Sequence, residues 1–186
     1  MRLKRRVDAQ TEPVTKEQVK EDLILTGTAD DTLIESYIKT ARQFIENYAK
    51  VSILTQTWQV SFTPDELIAP VGSDIPDRIT LPRPPIQSVN AVTFLDDSGT
   101  TTTLTVTTDY RFEGEDVIFV SPEAAGTIGR YTIDYTAGYA DTSIIPDPFL
   151  IGIRIAATSH YENRESFVIP PGIRQLVGPF RRRRLV

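Results

Sequence analysis

His160 is the residue whose chemistry would matter most in an enzyme, because it is the only histidine among the 186 residues. A Ser-His-Asp triad would have to use it as the general base. Ser159 is adjacent in sequence, and neighbouring side chains on a helix point about 100° apart, so the two would not face each other. A lone histidine near a helix end is typical of packing or capping, and we interpret His160 in that way.

Two clusters of carboxylates are the other candidates for catalysis. Asp96 and Asp97 form one, and Glu113, Glu115 and Asp116 form the other. Glycoside hydrolysis needs two carboxyl groups at a defined separation. Both clusters coincide with glycine-containing hairpin turns, where acidic residues favour turn formation and solubility. The sequence also has no Walker-type loop and no G-x-G-x-x-G motif.

The amino-acid counts exclude several further kinds of site. There is no cysteine, which excludes disulfides, thiolate nucleophiles and thiolate metal sites, and one histidine excludes histidine-rich metal sites. We therefore predict a protein that is not an enzyme and has no catalytic, cofactor-binding or metal-binding residues. No apolar run approaches the ~20 residues that span a bilayer, and the basic N-terminus lacks the apolar core of a signal peptide, so we expect neither a membrane partner nor secretion.

Basic residues are concentrated at the two ends of the chain. The opening MRLKRR and the closing GPFRRRRLV hold eight of the twenty Lys and Arg residues, so the stretch between them has twelve against 25 Asp and Glu, a net charge of −13. Two explanations fit such ends equally: they are solvated, flexible termini, or they bind a partner. Arginine pairs with phosphates and with carboxylates, so both a nucleic acid and an acidic protein stay open as partners.

Hydrophobic periodicity predicts helices over about 15–25, 30–51 and 147–165. The first begins at a capping box, Thr15 to Gln18, and Gly27 is expected to end it in a left-handed turn. The second carries a broad apolar stripe at helical spacing that is typical of a core face: Leu33, Ile34, Tyr37, Ile38, Ala41, Phe44, Ile45, Tyr48 and Ala49. Asp147 and Pro148 mark the start of the third.

Between the second and third helices the apolar period changes from 3.6 to two. Apolar residues alternate with polar ones around Trp58, Leu104 and Ile133, which indicates strands with one buried and one solvated face. Residues 53–136 are predicted to form a twisted antiparallel sheet or small barrel. Pro170, Pro171 and Gly172 are expected to end regular structure. The predicted fold class is α+β, a small helical bundle with an antiparallel β-rich insertion and an extended C-terminal arm, 170–186.

Several stretches occur together in a characteristic order. They are VTKEQVKEDLIL, then DDTLIESYIKTARQFIENYAKVSILTQTWQ, LPRPPIQSVNAVTFLDDSG, DYRF, IDYTAGYAD and finally IPDPFLIGIRIAATSHYENRES with an arginine-rich tail. In this order the chain resembles the head–tail connector (adaptor, or head-completion) proteins of long-tailed bacteriophages, in the variant with a β-rich insertion. The resemblance covers nearly the whole chain, which implies a single connector domain over 1–186 with 53–136 as the insertion.

The resemblance implies a structural virion protein at the head–tail junction, assembled in the bacterial host cytoplasm. Such connectors form a homo-oligomeric ring, commonly twelvefold, beneath the portal protein. They extend the DNA channel and offer a platform to a neck, stopper or tail-completion protein. Helices 30–51 and 147–165 would build the ring and the C-terminal arm would reach the portal. DNA would pass through without specific binding, and the acidic body agrees with a surface along which a duplex slides.

The arginine-rich end is the candidate portal-binding site. A stiff proline, an aromatic anchor and several guanidinium groups suit an acidic groove with an apolar pocket. The residues of this hypothesis are Pro179, Phe180, Arg181, Arg182, Arg183 and Arg184.

Two functions from other classes stay open. One is a β-rich module that binds carbohydrate or a host surface through exposed aromatic side chains such as Trp58 or Tyr139. The other is a nucleic-acid-binding protein that uses the arginine-rich tail. No helix-turn-helix or single-strand stacking motif supports the second reading.

Overall fold

Helices and strands separate into two units of the chain. The computed structural model describes residues 1–66, 78–120, 129–164 and 170–182. The β unit comprises residues 1–8 and 55–138, and the helical unit comprises residues 9–54 and 139–186. The predicted α+β class with antiparallel sheets is confirmed.

Four α-helices make up the described part of the helical unit. They are α1 (Lys16–Leu23), α2 (Asp31–Ala49), α3 (Asp147–Glu162) and α4 (Pro171–Val177), with 3-10 turns at Thr142–Ile144 and Gly178–Phe180. The three helices predicted from periodicity are confirmed with slightly shorter ends. Residue 165, the predicted end of α3, lies outside the described residues.

The ends of α1 show one confirmed prediction and one error. Thr15 and Gln18 form the capping box, in which the Gln18 N–H donates to the Thr15 hydroxyl and the Thr15 N–H donates to the Gln18 side chain. The left-handed residue after the helix is Ile24, with φ of 56°, and not Gly27. The Leu25 N–H already donates to the Lys20 carbonyl, at 2.9 Å, so the helix closes three residues before the glycine.

The core of the helical unit lies where α2 and α3 pack together. The predicted stripe supplies five buried residues from α2, namely Ile34, Ile38, Ala41, Ile45 and Ala49, and α3 adds Phe149, Ile153, Ala156 and Ala157. A Cβ at Gly152 would lie 3.2 Å from Ile45 Cδ1 and 3.6 Å from Cγ atoms of Ile173 and Val177. Glycine at this position lets α3 approach α2 and α4 closely.

The segment after Pro170 corrects the predicted extended arm. Residues 171–177 form α4, and Ile173 and Val177 are buried in the helical unit. Proline is favoured in the first turn of a helix because its missing N–H has no partner there. Pro171 therefore starts a helix, and the prediction that the Pro-Pro-Gly run ends regular structure is wrong. The i, i+4 spacing of Ile173 and Val177 gives that helix a buried face.

The β unit contains two antiparallel sheets. Their strands are β1 (Arg2–Val7), β2 (Gln56–Phe62), β3 (Arg78–Thr80), β4 (Ile86–Asp96), β5 (Thr101–Leu104), β6 (Tyr110–Glu113), β7 (Asp116–Phe119) and β8 (Gly129–Ala137). One sheet has the order β1-β2-β8-β4-β5 and the other the order β3-β7-β6. The hairpin turns predicted after Asp96 and Glu113 join β4 to β5 and β6 to β7.

The basic N-terminus is part of the larger sheet. Residues 2–7 form β1, which pairs antiparallel with β2, Leu3 opposite Val60 and Arg5 opposite Trp58. The interpretation of this end as a flexible, solvated terminus is therefore wrong. Leu3 packs against the core of the β unit, so the alternation of apolar and basic residues in this segment is that of a half-buried strand.

Aromatic side chains fill the core of the β unit. Phe62 of β2 stacks on Tyr131 of β8 with ring centroids 5.4 Å apart, and Phe119 of β7 lies 4.8 Å from Tyr131. The smaller sheet thus packs on the buried face of the larger one. The opposite face is polar and half-buried, with Thr57, Gln59, Ser61, Thr132, Asp134 and Thr136. In the part of the chain that the structure describes, no helix is both long and apolar enough to cross a membrane.

Candidate partner-binding surface

The described part of the C-terminal arm folds back onto the helical unit. The ring of Phe180 lies 5.1 Å from that of Phe149, centroid to centroid, at 55° between planes. Phe180 is still 37% exposed, and Pro179 beside it is exposed as well. One side of the Phe180 ring is thus held by α3 while the other is open to a partner.

The two arginines after Phe180 lie at the C-terminal end of α2. The guanidinium carbon of Arg181 is 5.2 Å from the ring centroid of Tyr48, which places the cation over the aromatic face. The Arg182 N–H donates to the Ala49 carbonyl at 2.9 Å. The last carbonyls of a helix lack internal partners and carry partial negative charge. The arm therefore caps α2 with a hydrogen bond and with positive charge.

Four of the six predicted site residues are brought together in this way. Pro179, Phe180, Arg181 and Arg182 form one exposed surface at the end of α2, whereas Arg183 and Arg184 lie outside the described residues. Both described arginine side chains are exposed. The surface combines an aromatic edge with cations and suits an acidic partner with an apolar pocket. That it binds a portal stays a prediction.

A second surface, which sequence reasoning missed, lies on the outer face of α3. Ile151 and Ile155 are 46% and 43% exposed and line a shallow groove of about 480 Å³. Arg154 at its rim donates two hydrogen bonds to the carboxylate of Asp22 in α1, at 2.9 and 2.6 Å. In the sequence, the two isoleucines are spaced i, i+4 and lie out of phase with the core stripe of α3. This spacing is the signal from which an exposed apolar face could have been predicted.

A buried ionic network connects α2 to the chain on either side of it. Arg42 is fully buried and Glu46 is 2% exposed. The Arg42 guanidinium donates to both carboxylate oxygens of Glu12, at 2.7 and 3.1 Å, and to Glu46 at 3.1 Å. Glu46 also accepts the backbone N–H of Ile53 at 3.0 Å. One guanidinium is thus shared by two carboxylates, so loss of Arg42 would leave the buried charge of Glu46 without this cation.

His160 lies in a packed environment. Its ring centroid is 4.0 Å from that of Tyr37 on α2, with the planes tilted by 32°. Burial disfavours the charged imidazolium and lowers the pKa of His160 below its usual value. In the described ranges, no three His, Asp or Glu side chains are grouped so that they could hold a metal ion.

The lowered pKa of His160 predicts an acid-sensitive contribution to stability. Its folded-state pKa lies below the unfolded value of about 6.5, so the unfolded state binds the proton first and stability falls as the pH drops below about 6.5. We expect the thermal midpoint to drop less between pH 7.5 and 5.5 in His160→Gln than in the wild type. An unchanged pH dependence in the variant would contradict this role of His160.

The carboxylate clusters hold turns and strands together. Asp96 accepts hydrogen bonds from the Ser98 hydroxyl at 2.7 Å and the Thr100 N–H at 2.8 Å, and these bonds lower the pKa of its carboxyl group. Asp116 accepts the Thr80 hydroxyl at 2.6 Å, which joins β7 to β3. Glu113 lies 4.0 Å from Arg111 in an exposed pair. These contacts agree with a structural interpretation of both clusters.

The aromatic residues suggested for ligand binding are not exposed platforms. Trp58 is 7% exposed, and the guanidinium carbons of Arg5 and Arg83 lie 5.7 and 5.2 Å from its ring. Tyr139 is half-buried against the core of the helical unit. The hypothesis that Trp58 is an exposed binding residue is therefore wrong, because the alternation of β2 points it into the core.

Comparison with known proteins finds one family model that matches part of the chain. Residues 15–96 match the model of the phage gp6-like head-tail connector protein family. The match begins at the cap of α1 and runs through α2 to the end of β4. The resemblance predicted from the sequence is confirmed.

Solved structures show a likeness in fold over the whole chain. The neck of the empty gene transfer agent (GTA) particle computed with C6 symmetry contains a chain of 22% identity and TM-score 0.73. A chain in the virion of the native GTA particle has 24% identity and a TM-score of 0.73. A chain in the neck of the native GTA particle computed with C12 symmetry has 20% identity and a TM-score of 0.67. Each comparison covers 100% of this chain and 98% of the other. At these identities the likeness establishes the fold. No curated protein matches the chain.

Proposed function

We propose that this protein is a structural head–tail connector of a phage or phage-like particle. The observation that carries the proposal is a fold shared from end to end with a chain of a particle neck, together with the connector-family match over residues 15–96. The carboxylates of Asp96, Glu113 and Asp116 contact turn and strand residues of the β unit, which supports a structural role for these three residues. Both units act as one connector domain, with residues 53–136 as its insertion.

The connector assembles as a ring of twelve copies beneath the portal protein at the head–tail junction. The similar neck structures were computed with C6 and C12 symmetry, which supports a multiple of six. The ring extends the DNA channel and presents a platform to a neck, stopper or tail-completion protein. The excess of acidic residues between the two basic ends favours passage of DNA without specific binding. Assembly takes place in the host cytoplasm.

The surface formed by Pro179, Phe180, Arg181 and Arg182, with Arg183 and Arg184 next in sequence, attaches each copy to an acidic groove on the portal. Because residues 178–182 already contact α2 and α3, this part of the arm loses less conformational entropy on binding than a disordered tail would. The exposed edge of Phe180 enters an apolar pocket and the guanidinium groups pair with carboxylates around it. A ring repeats the contact around one axis, so weak individual contacts add up to stable attachment.

Pull-down of the portal protein tests this attachment. Replacing all four arginines, 181–184, with alanine is expected to reduce portal recovery at least tenfold, and high salt is expected to reproduce much of that loss. Four lysines at the same positions are the matched control, because they keep the charge and lose only the bidentate geometry; they should retain intermediate recovery.

Deletion of 178–186 should also prevent attachment. It removes the Phe180–Phe149 contact and the cap on Ala49, so we expect it to lower the thermal midpoint modestly. The alanine variant keeps Phe180 and serves as the cleaner test. Equal recovery of the portal by wild type and alanine variant at low salt would reject this binding surface.

A further inference from the structure

The larger sheet of the β unit has two open edges. Its order places β1 at one end and β5 at the other, and neither strand pairs with another described strand on its outer side. Thr101, Thr102 and Thr103 of β5 are all exposed. An edge strand presents unpaired N–H and C=O groups that can accept a strand from another chain. Among the described residues, both edges are therefore open to sheet extension.

β1 carries positive charge, whereas acidic residues flank β5 at both of its ends. Arg2, Lys4 and Arg6 of β1 are exposed, and none of them forms an ion pair with a described residue. Asp97 lies exposed in the turn that precedes β5, and Asp109 follows the strand after a short loop. The cationic edge of one copy thus complements the acidic ends of the β5 edge of another.

We propose that β1 of one copy pairs with β5 of the next copy, so that the sheets continue from subunit to subunit around the ring. The proposal rests on the ring of the proposed function and names the contact that closes it. It joins two different surfaces of the same chain, and such heterologous contacts are the kind that generate rings. Backbone hydrogen bonds would supply affinity, and the charges would set the register.

Strand direction and length fit this contact. Four antiparallel steps separate β1 from β5, so both run in the same direction within one sheet. Copies related by a small rotation keep that direction, and the new pairing is parallel. At a rise of about 3.3 Å per residue, Arg2 and Arg6 are about 13 Å apart and the four residues of β5 span about 10 Å. Arg2 then lies towards Asp97 and Arg6 towards Asp109.

Disulfide trapping tests the contact, because the chain has no cysteine of its own. Lys4 and Thr103 both lie on the sheet face away from the core, opposite Gln59 and Thr93. Within one copy they are four strand spacings apart, about 19 Å, whereas a disulfide needs Cα atoms within about 7 Å. Oxidation of Lys4→Cys/Thr103→Cys in the full chain at high concentration should give a ladder of dimers, trimers and larger species.

The matched control keeps one cysteine and moves the other. Lys4→Cys/Glu17→Cys places the second thiol on the exposed side of α1 and should yield no ladder beyond random dimers. A dimer without higher species in the Lys4/Thr103 variant would indicate a two-fold contact and overturn the proposal. Absence of any cross-link at high concentration would overturn it as well.

Charge reversal gives a second, independent test. Arg2→Glu/Arg6→Glu and Asp97→Arg should each reduce oligomers at least tenfold, while a mixture of the two variants should restore them as alternating copies. Asp109 is left unchanged because its carboxylate accepts the Thr105 N–H and holds the loop after β5. If the β1 cations only protect an edge from aggregation, reversal leaves oligomers unchanged; if they bind DNA, it abolishes a DNA mobility shift and spares oligomers. Either result rejects the contact.

The cross-linking and pull-down experiments together separate this proposal from the proposed function. Portal recovery without a cross-linked ladder would reject the contact alone, and a ladder without portal recovery would reject the proposed function alone.

Discussion

Replacing Arg42 with alanine is expected to lower the free energy of unfolding by about 3–5 kcal/mol, because it leaves Glu46 and Glu12 without their shared cation. Glu46 is almost completely buried, so its charge has little access to water after the substitution. Chemical denaturation followed by circular dichroism measures the loss. A midpoint within error of the wild type would contradict the structural role of the network.

Two control variants separate burial of charge from loss of a side chain. Arg111→Ala removes the same side chain from an exposed pair with Glu113 and should cost about 0–1 kcal/mol. Arg42→Met with Glu46→Gln removes the two most buried charges, leaves the partly exposed Glu12 carboxylate without its cation, and keeps an acceptor for the Ile53 N–H. This double variant should be more stable than Arg42→Ala, since an apolar replacement for a buried pair is often nearly neutral.

Replacing Ile45 with aspartate should cost at least about 4 kcal/mol, because it buries a carboxylate without a partner. Ile45 is completely buried, and its Cδ1 atom lies where α2 meets Gly152 of α3. Ile38 lies on the same buried face of α2, nearer its N-terminus, so Ile38→Asp should have a similar effect. Thermal denaturation measures both losses.

Ile24 provides the matched control for the same substitution. It is 89% exposed, and aspartate tolerates its left-handed conformation better than a β-branched residue does, so Ile24→Asp should lower the free energy of unfolding by no more than about 0.5 kcal/mol. Ile45→Val, which removes one methylene group, should cost about 1 kcal/mol. An Ile45→Asp variant as stable as Ile24→Asp would mean that the predicted core stripe of α2 is not buried.

The sequence predicted the elements whose signal is periodic and long. The stripe of α2 repeats over five turns, and β2 and β8 alternate strictly, so both could be placed from hydrophobicity alone. Shorter elements depend on tertiary contacts. β1 forms because β2 offers an edge, and α4 forms because Gly152 leaves room for Ile173 and Val177. The local sequence of β1 does not reveal that it pairs with β2, and the local sequence of α4 does not reveal that it packs at Gly152.

The candidate site was only partly predictable for the same reason. The composition of the arginine-rich end pointed to a binding surface, but not to the contact of Phe180 with Phe149 or the cap on Ala49. Arg42 and Glu46 lie at i, i+4 spacing beside the core stripe, where charges usually mark a solvated face. The burial of the pair follows from Glu12 and Ile53, which the fold brings to the same place.

Electron microscopy of this protein mixed with its portal protein is the decisive test of the connector function. We expect portal particles that carry an additional ring on one face, with twelve copies of this chain and an open central channel. Portal particles without added density, at protein concentrations that saturate any weak binding, would contradict the connector function.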